Sequence, residues 1–318
     1  MAKILVCGAT GFIGRNIVER LAADPTHQIT AQYHDRPPFD VPGIIWVQAD
    51  LTDVTQVDKA VAGAQVIIQA AAITSGAADI VARPHIHITD NAVMNSLLFR
   101  AAHDHGVGHF IVFSCSIVYL SNDKARSEED FTGEVHLPYH GGAWNKIYFE
   151  KMAEFFAGLG RTRYTVLRHS NIFGPYDKYD PNRSHMFGAT IHKVETTTTN
   201  EISVWGDGSE TRDLLYVDDL MDAVEATLAR QREPFALFNI GAGQPIRVRD
   251  VVQMIIEASG RDLRIFYDTA KPTIKTHIYL DCQRAADVLG WTPKTSLKAG
   301  ISKTLTWYRD AFSITKPS

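Results

Sequence analysis

The sequence predicts an α/β fold in which a doubly wound parallel sheet is followed by a smaller C-terminal lobe. Short β-branched runs alternate with amphipathic stretches through the first 170 residues, and this alternation is typical of the βαβ units that build a parallel sheet. Apolar residues at helical spacing, such as Ile13, Ile17 and Leu21, predict helices between the strands. Six runs predict strands: Ile4–Cys7, Gln28–Gln32, Ile44–Val47, Val66–Gln69, His109–Phe113 and Thr165–Leu167.

The character of the chain changes after Ser170. Loops rich in Gly, Pro, Asn and Asp occupy residues 173–181, and mixed short elements follow. We therefore expect the sheet domain over residues 1–170 and a mainly substrate-binding lobe over residues 171–318, with part of residues 213–240 returning to the sheet.

Composition limits the classes of ligand. Of the 318 residues, 45% are hydrophobic and 21% are charged, and the net charge is -4. The chain therefore lacks the polarity of a disordered protein and the basic excess of a nucleic-acid binder. Cys7, Cys115 and Cys282 are too few and too scattered for a disulfide framework or a metal site, which fits a reducing cytoplasm. Because neither a leader-like segment nor 18 consecutive apolar residues occur, we expect no signal peptide and no membrane span.

A glycine-rich motif carries the strongest functional signal. Gly8, Gly11 and Gly14 follow the first predicted strand and open the first predicted helix. Glycines in this setting let the backbone approach a pyrophosphate, and the helix N-terminus stabilises its negative charge. The motif predicts a dinucleotide site at the carboxyl ends of the strands, and a merely structural glycine turn is the alternative.

The end of the second predicted strand bears on the choice of cofactor. An acidic residue there holds the ribose hydroxyls of NAD, whereas a cation accepts the 2′-phosphate of NADP. Tyr33 stands at the position expected for the acid, and Arg36 and Arg15 lie near the same end. The sequence therefore favours NADP over NAD, although Asp35 keeps NAD open.

The G-x-x-G-x-x-G spacing resembles that of the short-chain dehydrogenase/reductase family, and the likeness extends over essentially the whole chain. Three further segments resemble the family's extended, sugar-nucleotide branch: Asp50-Leu51, residues 69–72, and residues 205–219 around Arg212. The resemblance implies a Rossmann-like domain in which Asp50 and Leu51 contact adenine. It also implies that Arg212 holds the diphosphate of a nucleotide sugar as a bidentate fork. A surface salt bridge is the alternative for Arg212.

Within that branch, residues 180–186 and Lys271-Pro are most similar to GDP-sugar epimerase/reductases of the GDP-L-fucose synthase kind. The resemblance puts His185 at the place of the epimerising acid, where imidazole suits proton delivery near neutral pH. A structural histidine is the alternative. The resemblance also implies cofactor contacts for Thr10, Phe12, Ile13, Ala70, Ala71, Lys146 and His169, and substrate contacts for Asn171, Trp205 and His277.

One departure from the family pattern concerns catalysis. The family pairs a tyrosine with a lysine four residues later, and the lysine lowers the pKa of the phenol. Lys146 stands at the position of that lysine, but the residue four positions earlier is Gly142 instead of a tyrosine. Cys115 stands where the family usually has the hydroxyl of a serine or threonine. Tyr139, with a glycine pair between it and Lys146, is the favoured substitute. The other candidates are Cys115 and Ser116, whereas Tyr148 lies about 200° around the helix from Lys146 and should face away.

These features together predict an enzyme that epimerises, dehydrates or reduces a nucleotide-diphosphate sugar with NAD(P), and the resemblance implies a homodimer. A UDP-sugar 4-epimerase is the nearest alternative activity. A catalytically silent nucleotide-binding or regulatory protein is the alternative from another class, because the usual proton relay is broken at Gly142.

Overall fold

The computed structural model describes residues 1–74, 83, 85, 88–180, 184–271 and 273–314. The described strands, in chain order, are β1 Ala2–Cys7, β2 His27–Tyr33, β3 Ile45–Gln48, β4 Val66–Gln69, β5 His109–Cys115, β6 Arg163–His169, β7 Asn171–Phe173, β8 Glu201–Trp205, β9 Thr211–Arg212, β10 Leu214–Tyr216, β11 Phe235–Ile240, β12 Ile246–Arg247 and β13 Arg264–Asp268. The described helices are α1 Phe12–Ala22, α2 Val54–Val61, α3 Thr89–Asp104, α4 His140–Gly158, α5 Met186–Thr196, α6 Val217–Arg230, α7 Val248–Ser259, α8 Gln283–Leu289 and α9 Leu297–Phe312.

Seven parallel strands form the central sheet in the order β11-β6-β5-β4-β1-β2-β3. The order reverses between β1 and β4, and such a switch point is where doubly wound folds bind ligands. The doubly wound parallel sheet is thereby confirmed, and the six predicted strands correspond to β1 to β6 with bounds shifted by at most two residues. The seventh strand, β11, comes from the C-terminal half of the chain.

Both faces of the sheet are covered. Ile4 and Val6 of β1 join the apolar cluster under α1 and α6, whereas Leu5 and Cys7 join the cluster under α2, α3 and α4. A parallel strand that is buried on both faces needs a continuous apolar run, which explains why β1 lacks polar alternation.

The C-terminal lobe is smaller and packs on the same core as α1. Its parallel pair β8 and β13 lies beside α5, α7 and α9, which pack on one another. Two short pairs, parallel β7 with β10 and antiparallel β9 with β12, complete the described strands. Within the residues that the structure describes, no helix is both long enough and apolar enough to cross a bilayer.

Candidate active site

The glycine loop lies tightly against the segment that follows β4. Gly8 has φ +69, and a Cβ added there would lie 2.5 Å from the Cα of Ala71. A Cβ at Gly14 would lie 2.1 Å from the Gly8 carbonyl oxygen, and one at Gly11 would lie 3.2 Å from the same atom. No side chain caps the N-terminus of α1, so its first backbone N–H groups are available to an anion.

A buried glutamine that the sequence reasoning did not single out holds this loop. The side chain of Gln32 accepts a hydrogen bond from the Gly8 N–H at 2.8 Å and donates one to the Ala49 carbonyl at 2.6 Å. The loop is therefore tied to the ends of β2 and β3. Because glutamine in a strand is usually exposed, the sequence offered no signal beyond its place at the end of β2.

The side chains expected around the adenosine have distinct roles. Arg36 donates to the Thr10 carbonyl at 2.8 Å. Arg15 instead pairs with Glu19 at 2.9 Å and lies between the Phe39 and Tyr176 rings.

At the end of β3, Asp50 accepts hydrogen bonds from the hydroxyl and N–H of Thr52, which lower the pKa of its carboxyl. Leu51 beside it is buried. The expected adenine-contacting pair therefore has one anchored carboxylate and one apolar side chain.

The carboxyl ends of β5 and β6 bring together a cluster of ionisable groups. Cys115 and His169 are register partners on the two strands, and Lys146 of α4 donates to the Phe113 carbonyl at 2.8 Å. Burial raises the pKa of the Cys115 thiol, although the Lys146 charge opposes this shift. Burial lowers the pKa of His169 to about 4, and its Nδ1 donates to the Ser170 carbonyl at 2.7 Å. At neutral pH the thiol and the imidazole are therefore uncharged.

Gly142 leaves space on the same face of α4 as Lys146. Among the described residues, a Cβ at Gly142 would meet only the Cδ1 of Ile117, at an ordinary 3.6 Å, whereas one at Gly141 would lie 2.6 Å from the Cδ1 of Ile88. The glycine at position 142 is therefore not required by close packing. Tyr148 is half exposed on the other side of the helix, as its angular position predicts.

Tyr139 ends a short 3-10 turn immediately before α4. Burial raises the pKa of its phenol, while the Arg212 charge lowers it and Cys115 raises it further. The expectation that Lys146 brings this phenol nearer to neutral pH is wrong, because burial dominates and the nearby cation is Arg212. Tyr139 nevertheless lies close enough to both Cys115 and Arg212 for each to affect its titration.

A buried ion pair fixes the helix that carries Lys146. Glu150, one turn after Lys146, accepts from Ser114 at 2.5 Å and from the Arg168 Nε at 3.0 Å. Arg168 also bonds the Tyr119 hydroxyl, and burial of both charged groups makes this pairing obligatory. The network attaches α4 to β5 and β6, so it positions Lys146 without taking part in chemistry.

Arg212 lies in β9 on the side of the C-terminal lobe. Its guanidinium donates to the Thr211 carbonyl at 2.7 Å and to the Thr276 hydroxyl at 3.1 Å. Within the described residues no carboxylate pairs with it, which does not favour the salt-bridge alternative. The Nδ1 of His277 bonds the Thr211 hydroxyl at 2.7 Å, so His277 and Arg212 belong to one connected segment.

The residue after Arg212 holds that segment in place. Asp213 is fully buried and accepts from the N–H groups of Ala242 at 2.7 Å and Leu280 at 3.0 Å. Burial raises the pKa of its carboxyl to about 6. Asn171 donates from its side chain to the Asp213 carbonyl at 3.2 Å.

The other expected site residues are more dispersed. His185 is the exposed N-cap of α5, yet its charge is one cause of the lowered pKa of His169, after burial and Lys146. Trp205, at the end of β8, is 37% exposed and has the Lys271 ammonium 5.9 Å from its ring centre. Ser116 is buried, and its carbonyl accepts from the Tyr119 N–H.

Comparisons with known proteins agree with this geometry. A dTDP-4-dehydro-6-deoxy-D-allose reductase from Streptomyces bikiniensis is 27% identical over an alignment of 317 positions that covers 96% of either chain. GDP-L-fucose synthase 1 from Arabidopsis thaliana is 28% identical over an alignment of 321 positions that covers 96% of this chain and 93% of the relative. The solved structure of MoeE5 in complex with UDP-glucuronic acid and NAD superposes with a TM-score of 0.85 at 25% identity, over 98% of this chain and 100% of that one.

The family relationship covers the glycine loop, the Lys146 cluster and the Arg212 segment together. The sequence model that matches them spans residues 4–241, from β1 to the end of β11. This protein therefore belongs to the NAD dependent epimerase/dehydratase family.

Proposed function

We propose that this chain uses NAD(P) to epimerise, dehydrate or reduce a nucleotide-diphosphate sugar. One observation carries the proposal: Lys146, Cys115 and His169 come together at the carboxyl ends of β5 and β6, and Tyr139, just before the helix of Lys146, has a pKa that responds to the charges of Cys115 and Arg212. A sugar whose diphosphate is bound by Arg212 would therefore extend toward the Lys146 cluster. Similarity to a dTDP-sugar reductase and to a GDP-L-fucose synthase supports a nucleotide sugar as the substrate. In this proposal residues 171–318 form mainly the substrate lobe, apart from α6 and β11.

The glycine loop fits a dinucleotide, because a side chain at Gly8 or Gly14 would collide with backbone atoms and the loop is bare where a pyrophosphate approaches. When bound, the cofactor supplies the hydride chemistry of the reaction. We propose that NADP is preferred over NAD, since Arg36 lies at the end of β2 against the Thr10 carbonyl and suits a 2′-phosphate. In fluorescence titrations, Arg36→Gln should weaken NADPH binding more than NADH binding, and equal losses would contradict this preference.

Tyr139 is the proposed source of the proton at the sugar oxygen. Its pKa is raised by burial, so at neutral pH its Oη carries a proton and can donate it. Lys146, whose Nζ is oriented by the Phe113 carbonyl, is proposed to hold the cofactor ribose. Cys115 stays a thiol at neutral pH and is the weaker candidate for the donor.

The experiment compares purified wild-type protein with Tyr139→Phe, using GDP-, dTDP- and UDP-linked 4-ketosugars with NADPH and separating the products by anion exchange. Tyr139→Phe should abolish turnover and leave NADPH affinity unchanged. Tyr148→Phe is the matched control, because Tyr148 faces solvent on the other side of α4, and it should retain turnover.

Full activity in Tyr139→Phe would remove Tyr139 from the mechanism. Another result would support the silent nucleotide-binding alternative: the wild-type protein binds the cofactor but turns over neither these substrates nor the corresponding 4-hydroxy sugars.

A second experiment introduces the missing phenol at position 142, because a Cβ there meets only Ile117 among the described residues. Gly142→Tyr should restore turnover to Tyr139→Phe if the site needs only a proton donor on this face.

Epimerisation needs a second proton donor, and we propose His185 for this role. Its charge is one cause of the lowered pKa of His169, which supports a location within electrostatic range of the Lys146 cluster although His185 is the N-cap of α5. In deuterated solvent, His185→Gln should lose deuterium incorporation into the sugar ring while it retains keto-reduction. Incorporation at the wild-type rate would return His185 to a structural role.

We further propose a homodimer formed through α4. Trp144, Tyr148 and Phe155 of this helix are 40%, 50% and 65% exposed, and their spacing places them on one stripe. Phe155→Asp should convert a dimer to a monomer in light scattering, whereas a monomeric wild type would contradict the proposal. A cytoplasmic location remains our expectation, in keeping with three cysteines that are all free thiols.

A further inference from the structure

A cavity of about 900 Å³ lies beside the glycine loop and is separate from the Lys146 cluster. One end is formed by Thr10, Arg15 and Arg36, and the other by residues 176–180 together with α5 and the end of α9. Its volume is within the range of about 300–1,000 Å³ typical of small-molecule sites. Neither Lys146 nor Cys115 lines it, so the proposed sugar chemistry does not account for it.

Aromatic rings form much of the second end. Trp307 has its ring centre 5.0 Å from that of Tyr176 and 5.7 Å from that of Tyr179. Phe312 continues the wall and is 53% exposed. Tyr176 adopts φ +69, a conformation that is strained for a side-chain-bearing residue and that tends to occur at ligand sites. The backbone is therefore held in an unfavourable conformation at the point where the two ends of the cavity meet.

A carboxylate that no described cation pairs with also lines this cavity. Asp177 accepts one hydrogen bond, from the Lys178 N–H at 2.7 Å, and no cation of the described residues forms an ion pair with it. The Lys178 ammonium donates to Thr74 instead. Burial raises the pKa of the Asp177 carboxyl to about 7, although the Lys178 N–H and charge oppose the shift.

Two arginines line the first end. Arg15 pairs with Glu19 at 2.9 Å, and Arg36 donates to the Thr10 carbonyl at 2.8 Å and keeps its positive charge for the proposed cofactor phosphate. The second end has no lysine or arginine among its described lining residues and carries the carboxyl groups of Asp177 and Asp180. Aromatic faces also attract cations through the quadrupole of the ring, so both features of the second end select the same sign of ligand charge.

We propose that this cavity binds a small organic ammonium compound with an apolar or aromatic body. The ammonium group pairs with Asp177, and the body lies against Trp307 and Tyr179. The site shares Thr10 and Arg36 with the proposed cofactor loop, but its aromatic end and Asp177 take no part in the proposed sugar activity, so the site adds a second ligand class to the protein.

The test uses the full chain at pH 8 with benzylammonium as the probe and benzyl alcohol as its neutral counterpart, both followed by calorimetry. Benzylammonium should bind saturably at one site, and Asp177→Asn should weaken it by about tenfold or more, because a charge-assisted contact is lost. Benzyl alcohol should bind more weakly and be unaffected by Asp177→Asn. The exposed Asp104→Asn serves as the control substitution, and unchanged NADPH affinity shows that the Asp177→Asn fold is intact.

Three results would overturn the proposal. The first is the absence of saturable benzylammonium binding, and the second is equal affinity for the charged and the neutral probe. The third is an Asp177→Asn variant that binds benzylammonium as well as the wild type does. If saturating NADPH displaces benzylammonium while Asp177→Asn has no effect, the cavity belongs to the cofactor site.

Discussion

Replacing Gly14 with alanine should both destabilise the protein and weaken its cofactor binding. The new methyl carbon would lie 2.1 Å from the Gly8 carbonyl oxygen and 2.8 Å from the carbonyl carbon. Both contacts are with backbone, so α1 or the glycine loop must move by about 0.9 Å to reach even a tight contact of 3.0 Å. No flexible side chain is available to absorb the shift.

The magnitude follows from two opposing effects. Overpacking of this kind costs about 1–3 kcal/mol, whereas alanine gains about 1 kcal/mol over glycine inside a helix. The net loss in the free energy of unfolding should therefore be up to about 2 kcal/mol. The displaced loop should weaken NADPH by about tenfold or more, since small errors in a positioned site are costly.

The assay combines thermal unfolding with NADPH fluorescence titration, and Gly158→Ala is the matched control. Gly158 is also a helical glycine, but nothing lies within 4 Å of its added Cβ. That variant should be as stable as the wild type or more stable, with unchanged NADPH affinity. If Gly14→Ala behaves like Gly158→Ala in both measurements, the close-packed loop is not what binds the cofactor.

Two further predictions concern charge. Arg212→Lys loses the bidentate fork, so calorimetry should show about tenfold weaker binding of a nucleoside diphosphate, and an unchanged affinity would contradict the diphosphate assignment. Burial lowers the pKa of His109 to about 4, so the buried ring is neutral and stabilises the folded state above pH 6.5. As the pH falls from 6.5 through 4, the wild-type free energy of unfolding should drop by about 3 kcal/mol from this group. In denaturant unfolding, His109→Gln should lose correspondingly less free energy of unfolding over this range, and a loss identical to that of the wild type would refute the argument.

The sheet could be read from the sequence because parallel strands buried on both faces require continuous apolar runs. Residues 109–113 and 66–69 are such runs, and both became central strands. The strand β11 was harder to assign, because residues 235–240 lie within the range expected mainly for the C-terminal lobe and pair with β6 only through tertiary contacts. The glycine spacing identified the cofactor loop, but the structure shows that Gly14 makes a closer backbone contact than Gly11.

The supporting polar groups could not be read in the same way. Glu150 and Arg168 are charged residues 18 positions apart, and only the meeting of α4 with β5 and β6 shows that they are buried against each other. The contacts of Asp213, which accepts hydrogen bonds from the N–H groups of Ala242, Gly243 and Leu280, are likewise a tertiary fact. Sequence reasoning also considered only Lys146 as a neighbour of Tyr139, and therefore predicted the wrong direction for the pKa of the phenol.

That direction bears on the reaction itself. A phenol whose pKa is lowered by a lysine can accept a proton from a sugar hydroxyl, whereas a phenol whose pKa is raised by burial holds its proton and donates it. In this protein Tyr139 is of the second kind, and the neighbouring Cys115 also keeps its proton at neutral pH. Among the three proposed reactions, reduction of a ketosugar is the one in which the sugar oxygen gains a proton overall, and the protonated Tyr139 therefore fits this proposal best.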